Sequence, residues 1–399
     1  MNWQALFKFW KPTPDSFAAA MLRELRESMP DKTFTYDKND FSIKSSDGHV
    51  KYLGNMFVDY CRCPRAQRVD VLKRFCRVGE IAIPSHRLNA EDHLFIRLRE
   101  RVLYEFMSLR GDGKGLSASY RLLTDDLYIE LVYDTPDAIM SMSETQLTDL
   151  GYTLDQAIEQ GRSNLRAMTK TPFKKVQPGV YEGCWGDNYD ASRILLPERI
   201  AELKLQGLPV CVPVNRDSIL VTGSDDESGL RYLIAWANRV MQLPRLMTLT
   251  ALVFKDGKWQ PFLPSEDSPL YNDFRKLQIM SKSRDYGEQV ELLEQKYKRE
   301  KADVFVAKYT CFENKQGRLR TISTWTKGVD TLLPVTDMIT FVDVDLPKPT
   351  AITAFVSWEQ ATTVVGHLME KMEYYPTRYR VRQYPNAEEM IALKNLSTQ

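Results

Sequence analysis

The sequence predicts an α+β fold built from several modules, each with an antiparallel sheet and helices packed on one face. Short runs rich in β-branched residues occur in pairs around turn-forming residues, a pattern typical of antiparallel hairpins. Other segments carry apolar residues at intervals of three and four, which is typical of helices with one buried face. In the segment 208–264 the two patterns occur in the order strand, strand, helix, strand, strand. This order favours a sheet with helices on one side.

The first hairpin of that segment encloses a polar triplet. Its strands are predicted at 209–214 and 218–222, and Asn215, Arg216 and Asp217 lie between them. Asn and Asp favour tight turns because their side chains bond to neighbouring backbone groups. The triplet is therefore predicted to form the hairpin loop.

The helix after this hairpin has clear start and stop signals. Asp225, Asp226 and Glu227 suit a helix start, where unpaired N–H groups and the helix dipole favour acidic side chains. Pro244 ends the helix, since proline has no N–H to donate. One apolar face is formed by Leu230, Leu233, Ile234, Ala237, Val240 and Met241. A second hairpin then turns at the dipeptide 256–257, whose Asp-Gly sequence is a strong hairpin signal.

A second line of residues runs along the same helix, beside its apolar face. It consists of Tyr232, Trp236 and Arg239. Because the apolar face is complete without these residues, we expect them to be exposed and to anchor a protein partner, a role in which tyrosine, tryptophan and arginine are enriched. The alternative is that the line is buried against another module of the same chain.

The elements on either side of this segment follow from the same two patterns. On the N-terminal side we predict a helix that Pro30 ends, strands at 33–36 and 41–44, a helical region at 53–76, a hairpin of 119–123 with 127–133, helices at 144–150 and 154–168, and a strand at 181–185. On the C-terminal side we predict a linker, a charged helix at 285–301, strands at 304–311, 317–325, 338–344 and 351–356, a helix at 359–374 and a strand at 379–384. A chain of this length is expected to form two or three domains. The elements group into modules at 1–142, 143–264 and 265–399.

Composition and charge exclude several classes of protein. A formal net charge of +1 provides no general electrostatic attraction to nucleic acid or to an anionic membrane. No apolar run has the length of a transmembrane segment, and the start of the chain has no signal-peptide pattern. We therefore expect a cytoplasmic protein whose six cysteines are reduced thiols. Cys211 lies between two valines and is expected in the core.

No motif for metal, cofactor or acid–base chemistry is found. Cys61, Cys63 and Cys76 have neither the paired spacing nor the histidine partners of a zinc site. The glycine-rich segment 111–115 lacks the spacing of a phosphate-binding loop. The helices at 144–150 and 154–168 suggest a helix-turn-helix, but their mixed charge favours a helical hairpin in a core. We predict no catalytic residue, no cofactor and no metal.

Aromatic residues are concentrated near the N-terminus, at Trp3, Phe7, Phe9 and Trp10. The segment is short and Pro12 ends it, so an interfacial membrane anchor is disfavoured. An aromatic arm packed on its own domain or on a partner is the better interpretation.

Several motifs in the middle of the chain carry a resemblance to a known family. They are LYIELVYD at 127–134, YDASRILLP at 189–197 and VPVNRD at 212–217. With these motifs the chain resembles the YtpQ-like family of uncharacterised bacterial proteins, best over residues 127–264. The resemblance implies a bacterial, cytoplasmic protein and brings no activity or catalytic residue with it.

Two groups of residues are candidate binding sites. The guanidinium of Arg216, between Asn215 and Asp217, is suited to a carboxylate or a phosphate, although turn formation alone explains the triplet and is favoured. Five acidic residues would form a hard-cation site if their loops converged, namely Asp187, Asp190, Asp225, Asp226 and Glu227. Helix capping by Asp190 and by residues 225–227 is the favoured explanation.

The sequence thus favours a non-enzymatic interaction protein whose exposed aromatic residues dock a protein partner. The alternative is a metal-dependent or phosphate-directed enzyme centred on the 215–217 loop and the nearby carboxylates. The geometry of these loops decides how much support each hypothesis has.

Overall fold

The structure, a computed structural model, describes residues 12–48, 50–77, 87–110, 118–136, 138–348 and 350–397. The chain has the predicted α+β class, with helices and several mainly antiparallel sheets. It divides into two compact units, the first comprising Met1–Ile96, Leu131–Lys170 and Leu243–Arg245, and the second Arg97–Glu130, Thr171–Gln242 and Leu246–Gln399. The division into modules at 1–142, 143–264 and 265–399 stays a prediction.

The order of elements agrees with most of the predicted strands and helices. Up to residue 170 the elements are α1 (Pro14–Ser28), β1 (Phe34–Asp37), β2 (Ser42–Ser45), β3 (Val50–Tyr52), α2 (Gly54–Arg62), α3 (Arg68–Arg77), α4 (Arg87–Ala90), β4 (Leu94–Glu100), α5 (Arg101–Arg110), β5 (Tyr120–Thr124), β6 (Leu127–Asp134), β7 (Ile139–Ser141), α6 (Glu144–Asp149) and α7 (Leu154–Met168). After it they are β8 (Lys174–Gln177), β9 (Val180–Gly183), α8 (Pro197–Ala201), β10 (Pro209–Cys211), β11 (Ile219–Gly223), α9 (Glu227–Val240), β12 (Leu252–Lys255), β13 (Lys258–Pro261), α10 (Tyr271–Glu300), β14 (Phe305–Val306), β15 (Thr310–Glu313), β16 (Leu319–Thr326), β17 (Thr331–Pro334), β18 (Met338–Val342), β19 (Ile352–Ser357), α11 (Trp358–Val365), β20 (Glu370–Lys371), β21 (Arg378–Val381) and α12 (Ala387–Leu396).

Two features singled out in the sequence lie outside the described residues, namely the aromatic arm at 3–10 and the glycine-rich segment 111–115. Within the part of the chain that the structure describes, no helix has both the length and the hydropathy required to cross a bilayer.

In the first unit, helix α1 supplies much of the core. Its buried residues Phe17, Met21 and Leu25 recur every four positions, as the buried face of an amphipathic helix requires. They share a core with Ile43 of β2 and Leu72 of α3. Helices α6 and α7 each begin with a capping box. In this motif the side chain of the N-cap residue accepts a hydrogen bond from the backbone N–H three residues later, and the side chain of that later residue accepts one from the N-cap N–H. Both predicted helices are therefore present, with the predicted starts.

Three sheets of the described residues lie wholly within the second unit. One has six strands in the order β13-β12-β10-β11-β9-β8, all paired antiparallel. The hairpins β10–β11 and β12–β13 are the predicted ones, and Asp256 and Gly257 turn the second with positive φ. The other two sheets have the orders β14-β17-β21-β20 and β15-β16-β18-β19.

Two strand pairs depart from the antiparallel expectation. β14 pairs with β17 and β16 pairs with β18 in parallel orientation. Between β16 and β18 the chain contributes β17 to the neighbouring sheet. Such a crossover returns the chain to the same end of the sheet, which is the connection that parallel strands need.

Two predicted helices have different bounds. Helix α10 begins at Tyr271 rather than at Asp285 and is 30 residues long, because Phe274 and Leu277 anchor its first half in the core beside the six-stranded sheet. The helix predicted at 359–374 ends at Val365. Beyond it, β20 instead pairs with β21.

Candidate functional site

The predicted loop residues Asn215, Arg216 and Asp217 form a turn. Asn215 is buried, and its Oδ1 accepts hydrogen bonds from the Asp217 N–H at 3.2 Å and from the Ser218 hydroxyl at 2.9 Å. The Arg216 carbonyl accepts a hydrogen bond from the Ala191 N–H at 3.2 Å. These contacts are the turn chemistry of Asn and Asp. A binding role for the triplet stays a prediction.

Asp190 occupies the N-cap position of a short 3₁₀ helix, Ala191–Leu195, but its side chain makes no capping hydrogen bond, which corrects the expectation that this carboxylate caps the helix. Its Oδ1 accepts hydrogen bonds from the N–H groups of Trp185 and of Gly186, the latter at 3.1 Å, so the carboxylate stabilises the loop that precedes it. Burial raises its pKa. Asp187 instead binds the fully buried Arg193 guanidinium through two hydrogen bonds of 2.6 and 2.5 Å.

The acidic residues at the start of α9 behave as predicted for a helix N-terminus. Asp226 accepts a hydrogen bond from the Gly229 N–H at 2.9 Å, and Glu227 pairs with Arg231 at 2.7 Å, one turn further along. Among the described residues, no group of three or more histidine, cysteine, aspartate or glutamate side chains is arranged to hold a metal ion.

The second line of α9 is not an exposed aromatic surface, which corrects the expectation for it. Trp236 is 2% exposed and lies in the core beside the six-stranded sheet, where its Nε1 donates to Glu182 Oε1 at 3.4 Å. Tyr232 is partly buried against the same core, and Arg239 is exposed. The sheet that packs against α9 is broad, so it buries Trp236 as well as the apolar face of the helix. Cys211, expected in the core, is fully buried.

A large polar cavity lies in the second unit, away from all of these residues. Its volume is about 920 Å³, and its walls come from α5, α10 and the segment that joins β20 to β21. The charged lining residues are Arg101, Glu105, Asp125, Arg275, Lys282, Asp337, Lys371 and Glu373, and the tyrosines are Tyr286, Tyr309, Tyr374 and Tyr375. The cavity is therefore lined mainly by charged residues and tyrosines.

Helix α10 brings one polar stripe to this cavity. Arg275, Gln278, Lys282 and Tyr286 all line it, and they recur at intervals of three and four, so they share one face of the helix. At 1.5 Å per residue the stripe extends about 16 Å along the helix axis.

Behind two of the lining residues lies the buried carboxylate of Asp126, which is 8% exposed. Its Oδ1 accepts hydrogen bonds from the Lys282 ammonium at 2.5 Å and the Tyr375 hydroxyl at 2.6 Å. Its Oδ2 accepts hydrogen bonds from Thr248 at 3.0 Å and Thr250 at 2.7 Å. Burial alone would raise the pKa of Asp126, but Lys282 and these donors lower it to about 2. Burial and the carboxylate raise the pKa of Tyr375, so this phenol is a hydrogen-bond donor at neutral pH.

Further groups of the cavity wall are also held in place. Arg275 donates to the Asp337 carboxylate, and to Gln278 Oε1 at 2.5 Å. Tyr286 stacks on Tyr309 with ring centres 4.9 Å apart. The Tyr286 hydroxyl donates to the backbone carbonyl at position 377, at 2.8 Å. These contacts give the cavity a pre-formed shape.

Arg101 differs from Arg275 and Lys282, each of which forms a short ion pair with a carboxylate. Its guanidinium carbon lies 4.1 Å from the centre of the Tyr375 ring and 5.7 Å from that of Tyr128. Its Nε is 3.7 Å from Glu105 Oε1, which is longer than a hydrogen bond. This Nε is buried and has no hydrogen-bond partner among the described residues. Burial raises the pKa of Glu105, although Arg101 opposes the shift.

A second cavity of about 550 Å³ adjoins the first. The two share Glu105, Glu373, Tyr374 and Tyr375 as lining residues, so together they form one depression along α5 and α10, named here the groove. Its lining on α10 reaches from Arg275 to Glu300, about 37 Å at 1.5 Å per residue.

None of the groove residues was among the predicted site residues. One local signal was present, since the polar residues of α10 recur at helical spacing from position 275 onward. The contact between Asp126 and Tyr375 could not be predicted from a local pattern, because the two residues are 249 positions apart in the chain.

Comparisons with protein-family models, with curated proteins and with solved structures give no match.

Proposed function

We propose that this chain is a non-enzymatic interaction protein and that its groove binds an extended segment of a protein partner. The observation that carries the proposal is the combination of two adjoining cavities with a lining of tyrosines and charged residues. Small-molecule sites are mostly apolar concavities of roughly 300–1,000 Å³. Protein interfaces are rich in tyrosine and arginine and contain many hydrogen bonds. An elongated polar groove matches the second description better.

The charge of the groove favours a protein segment over nucleic acid. In the larger cavity four cationic residues, Arg101, Arg275, Lys282 and Lys371, are balanced by four acidic ones, Glu105, Asp125, Asp337 and Glu373. Nucleic-acid sites need an excess of cations to neutralise phosphates. A peptide presents a neutral polar backbone and charges of both signs, which suits a balanced lining.

The pairing of these groups favours binding over catalysis. Lys282 is committed to Asp126, and Arg275 to Asp337. A general acid or base needs a pKa near the working pH. The pKa of Tyr375 is raised and that of Asp126 is lowered to about 2, and Glu105, whose pKa burial raises, is paired with Arg101. The alternative enzyme centred on the 215–217 loop has less support, because the carboxylates expected there each have separate partners.

We also propose that the chain belongs to the YtpQ-like family and is a bacterial, cytoplasmic protein. The support for this is the set of motifs at 127–134, 189–197 and 212–217. The family brings no activity, which is compatible with a binding role.

The proposed function can be tested with a phage-displayed library of random linear peptides, selected on the full chain. Gln278→Trp introduces a bulky ring into the larger cavity, and Gln260→Trp makes the same exchange at an exposed position of β13. We expect selected peptides to lose at least about tenfold in affinity, or about 1.4 kcal/mol, with Gln278→Trp and to keep it with Gln260→Trp. Isothermal titration calorimetry gives these affinities.

Three results would contradict the proposal. The first is a set of selected peptides that bind Gln278→Trp as tightly as the unchanged chain, and the second is the failure of the library to yield any binder. The third is catalytic turnover, seen by mass spectrometry as cleaved or modified peptide in molar excess over the protein.

A further inference from the structure

We infer that the groove receives a carboxylate of the bound segment, from an Asp or Glu side chain, between Arg101 and Lys282 and against Tyr375. This inference rests on the proposed function and names the chemistry that the groove recognises. It depends on the hydrogen-bonding capacity of two cations that contact the same tyrosine ring.

The Tyr375 ring holds the Arg101 side chain in position, but the guanidinium donors form no short hydrogen bond to a described residue. Its guanidinium packs against the ring of Tyr375 at 4.1 Å, and its side chain is 26% exposed where it lines the groove. An arginine carries five N–H donors in a planar fork. The buried Nε lies 3.7 Å from Glu105 and has no hydrogen-bond partner among the described residues. Because Nε is buried, the two terminal nitrogens are the part of the fork that a ligand in the groove can reach. A planar acceptor that offers two oxygens satisfies this fork best.

Lys282 contacts the same tyrosine ring and provides a further hydrogen-bond donor. Its ammonium lies 5.3 Å from the centre of the Tyr375 ring, and it has three N–H donors. Two of them are used by Asp126 Oδ1 at 2.5 Å and by the Tyr375 hydroxyl at 3.1 Å. The third has no acceptor in the described part of the chain, and the side chain is 24% exposed. Because Asp126 already immobilises Lys282, little conformational entropy is lost when a ligand uses this donor.

The surrounding charges favour a carboxylate over a phosphate. Glu105 contacts Arg101 only at 3.7 Å, so a ligand carboxylate that forms two short hydrogen bonds to the fork makes the stronger interaction. Asp125 and Glu373 also line the cavity. A phosphate with nearly two negative charges would meet more repulsion from these three acidic residues than a carboxylate with one.

The test is a cycle of variants of the protein and of a groove-binding peptide. Each Asp or Glu of a selected peptide is replaced by Asn or Gln, and both forms are titrated with the unchanged chain, with Arg101→Gln and with Arg110→Gln. Arg110 is the matched control, because it lies on the same helix and pairs at the surface with Glu288 at 2.5 Å. We expect one acidic peptide to lose at least about tenfold with Arg101→Gln and nothing with Arg110→Gln. Its amide form should bind more weakly and be insensitive to Arg101→Gln, which is the signature of direct coupling.

Arg101→Lys provides a second variant with the charge retained. It keeps the cation but loses the planar fork, so the acidic peptide should bind with an affinity between those of the unchanged chain and Arg101→Gln. Circular dichroism and thermal unfolding of each variant separate loss of binding from loss of folding.

Several outcomes would overturn the inference and leave groove binding intact. They are equal affinity for the acidic and amide peptides, an equal loss for both with Arg101→Gln, or a phosphoserine peptide that binds at least about tenfold more tightly than the acidic one in an Arg101-dependent way. The last result would identify phosphate as the ligand. Insensitivity of all peptides to Gln278→Trp would instead reject the proposed function itself.

Discussion

At the scale of residues, the buried charges of the second unit are held by several partners each. The fully buried Glu130 accepts hydrogen bonds from Arg97 and from the Tyr104 hydroxyl, each at 2.5 Å. Arg378 is also fully buried and donates to Gln289 and to two backbone carbonyls. Removal of Arg97 from its buried ion pair with Glu130 is expected to cost about 3–5 kcal/mol, because the remaining carboxylate loses its closest opposite charge. Substitutions within these networks are therefore expected to be costly.

Asp285 should make the stability of the protein depend on pH. This residue is 4% exposed, and burial raises its pKa to about 6, although Arg284 donates to it at 2.7 Å. Because the folded pKa lies above the unfolded value of about 3.9, folding favours the protonated carboxyl. The resulting stability is present below about pH 4 and is lost as the pH rises through about 6, by about 3 kcal/mol in total.

We therefore expect Asp285→Asn to lose less stability than the unchanged chain between about pH 4 and about pH 7. Urea unfolding at intervals across this window measures the difference, and Asp303→Asn at an exposed position is the control. Asp126 acts in a separate window, since its pKa of about 2 affects stability only below about pH 4. An identical pH dependence of Asp285→Asn and the unchanged chain would contradict the prediction.

Trp236 should be essential for stability rather than for docking. Since it is 2% exposed in a core, Trp236→Ala is expected to lower the free energy of unfolding by about 3–5 kcal/mol. Arg239→Ala, at an exposed position of the same helix, should change it by no more than about 0.5 kcal/mol. Urea denaturation of both variants tests this contrast. A loss below about 1 kcal/mol for Trp236→Ala would show that the indole is not part of the core.

At the scale of elements, helix α10 serves two purposes along its 30 residues. Phe274 and Leu277 enter the core beside the six-stranded sheet, and Val290 and Leu293 enter a separate core with β14 and β17. Its polar stripe faces the groove. Because the apolar contacts lie on different sides of the helix along its length, α10 has no single continuous apolar face. The helical periodicity of its first half was therefore too weak to be predicted from the sequence.

Two helical glycines should respond in opposite ways to the same substitution. A Cβ at Gly161 of α7 would lie 2.9 Å from the backbone carbon of Phe95, so Gly161→Ala is expected to destabilise the protein by about 1–3 kcal/mol. A Cβ at Gly287 of α10 would meet nothing within 4 Å. Gly287→Ala should therefore stabilise by about 0.5–1 kcal/mol, since alanine loses less backbone entropy in a helix. Urea unfolding gives the change in the free energy of unfolding for both variants. Changes of the same sign would contradict the close packing of Gly161 against the Phe95 backbone.

At the scale of the whole molecule, the near-balance of charge in the larger cavity resembles that of the chain. The chain carries a formal net charge of +1, and the larger cavity has equal numbers of cationic and acidic lining residues. Recognition in such a site depends on the placement of individual donors more than on long-range attraction. Arg101 and Lys282 are two cations of this lining whose donors are not all used by described residues.

The sequence alone determined the α+β class, the hairpins β10–β11 and β12–β13, and the acidic start of α9. These features depend on turn, cap and periodicity signals that act within a few residues, so they can be read locally. Tertiary structure alone decided the burial of Trp236 and the assembly of the groove. The Asp126 carboxylate meets Lys282 and Tyr375 across 156 and 249 residues of chain. Such contacts depend on how helices and sheets pack together, and no local pattern specifies that packing.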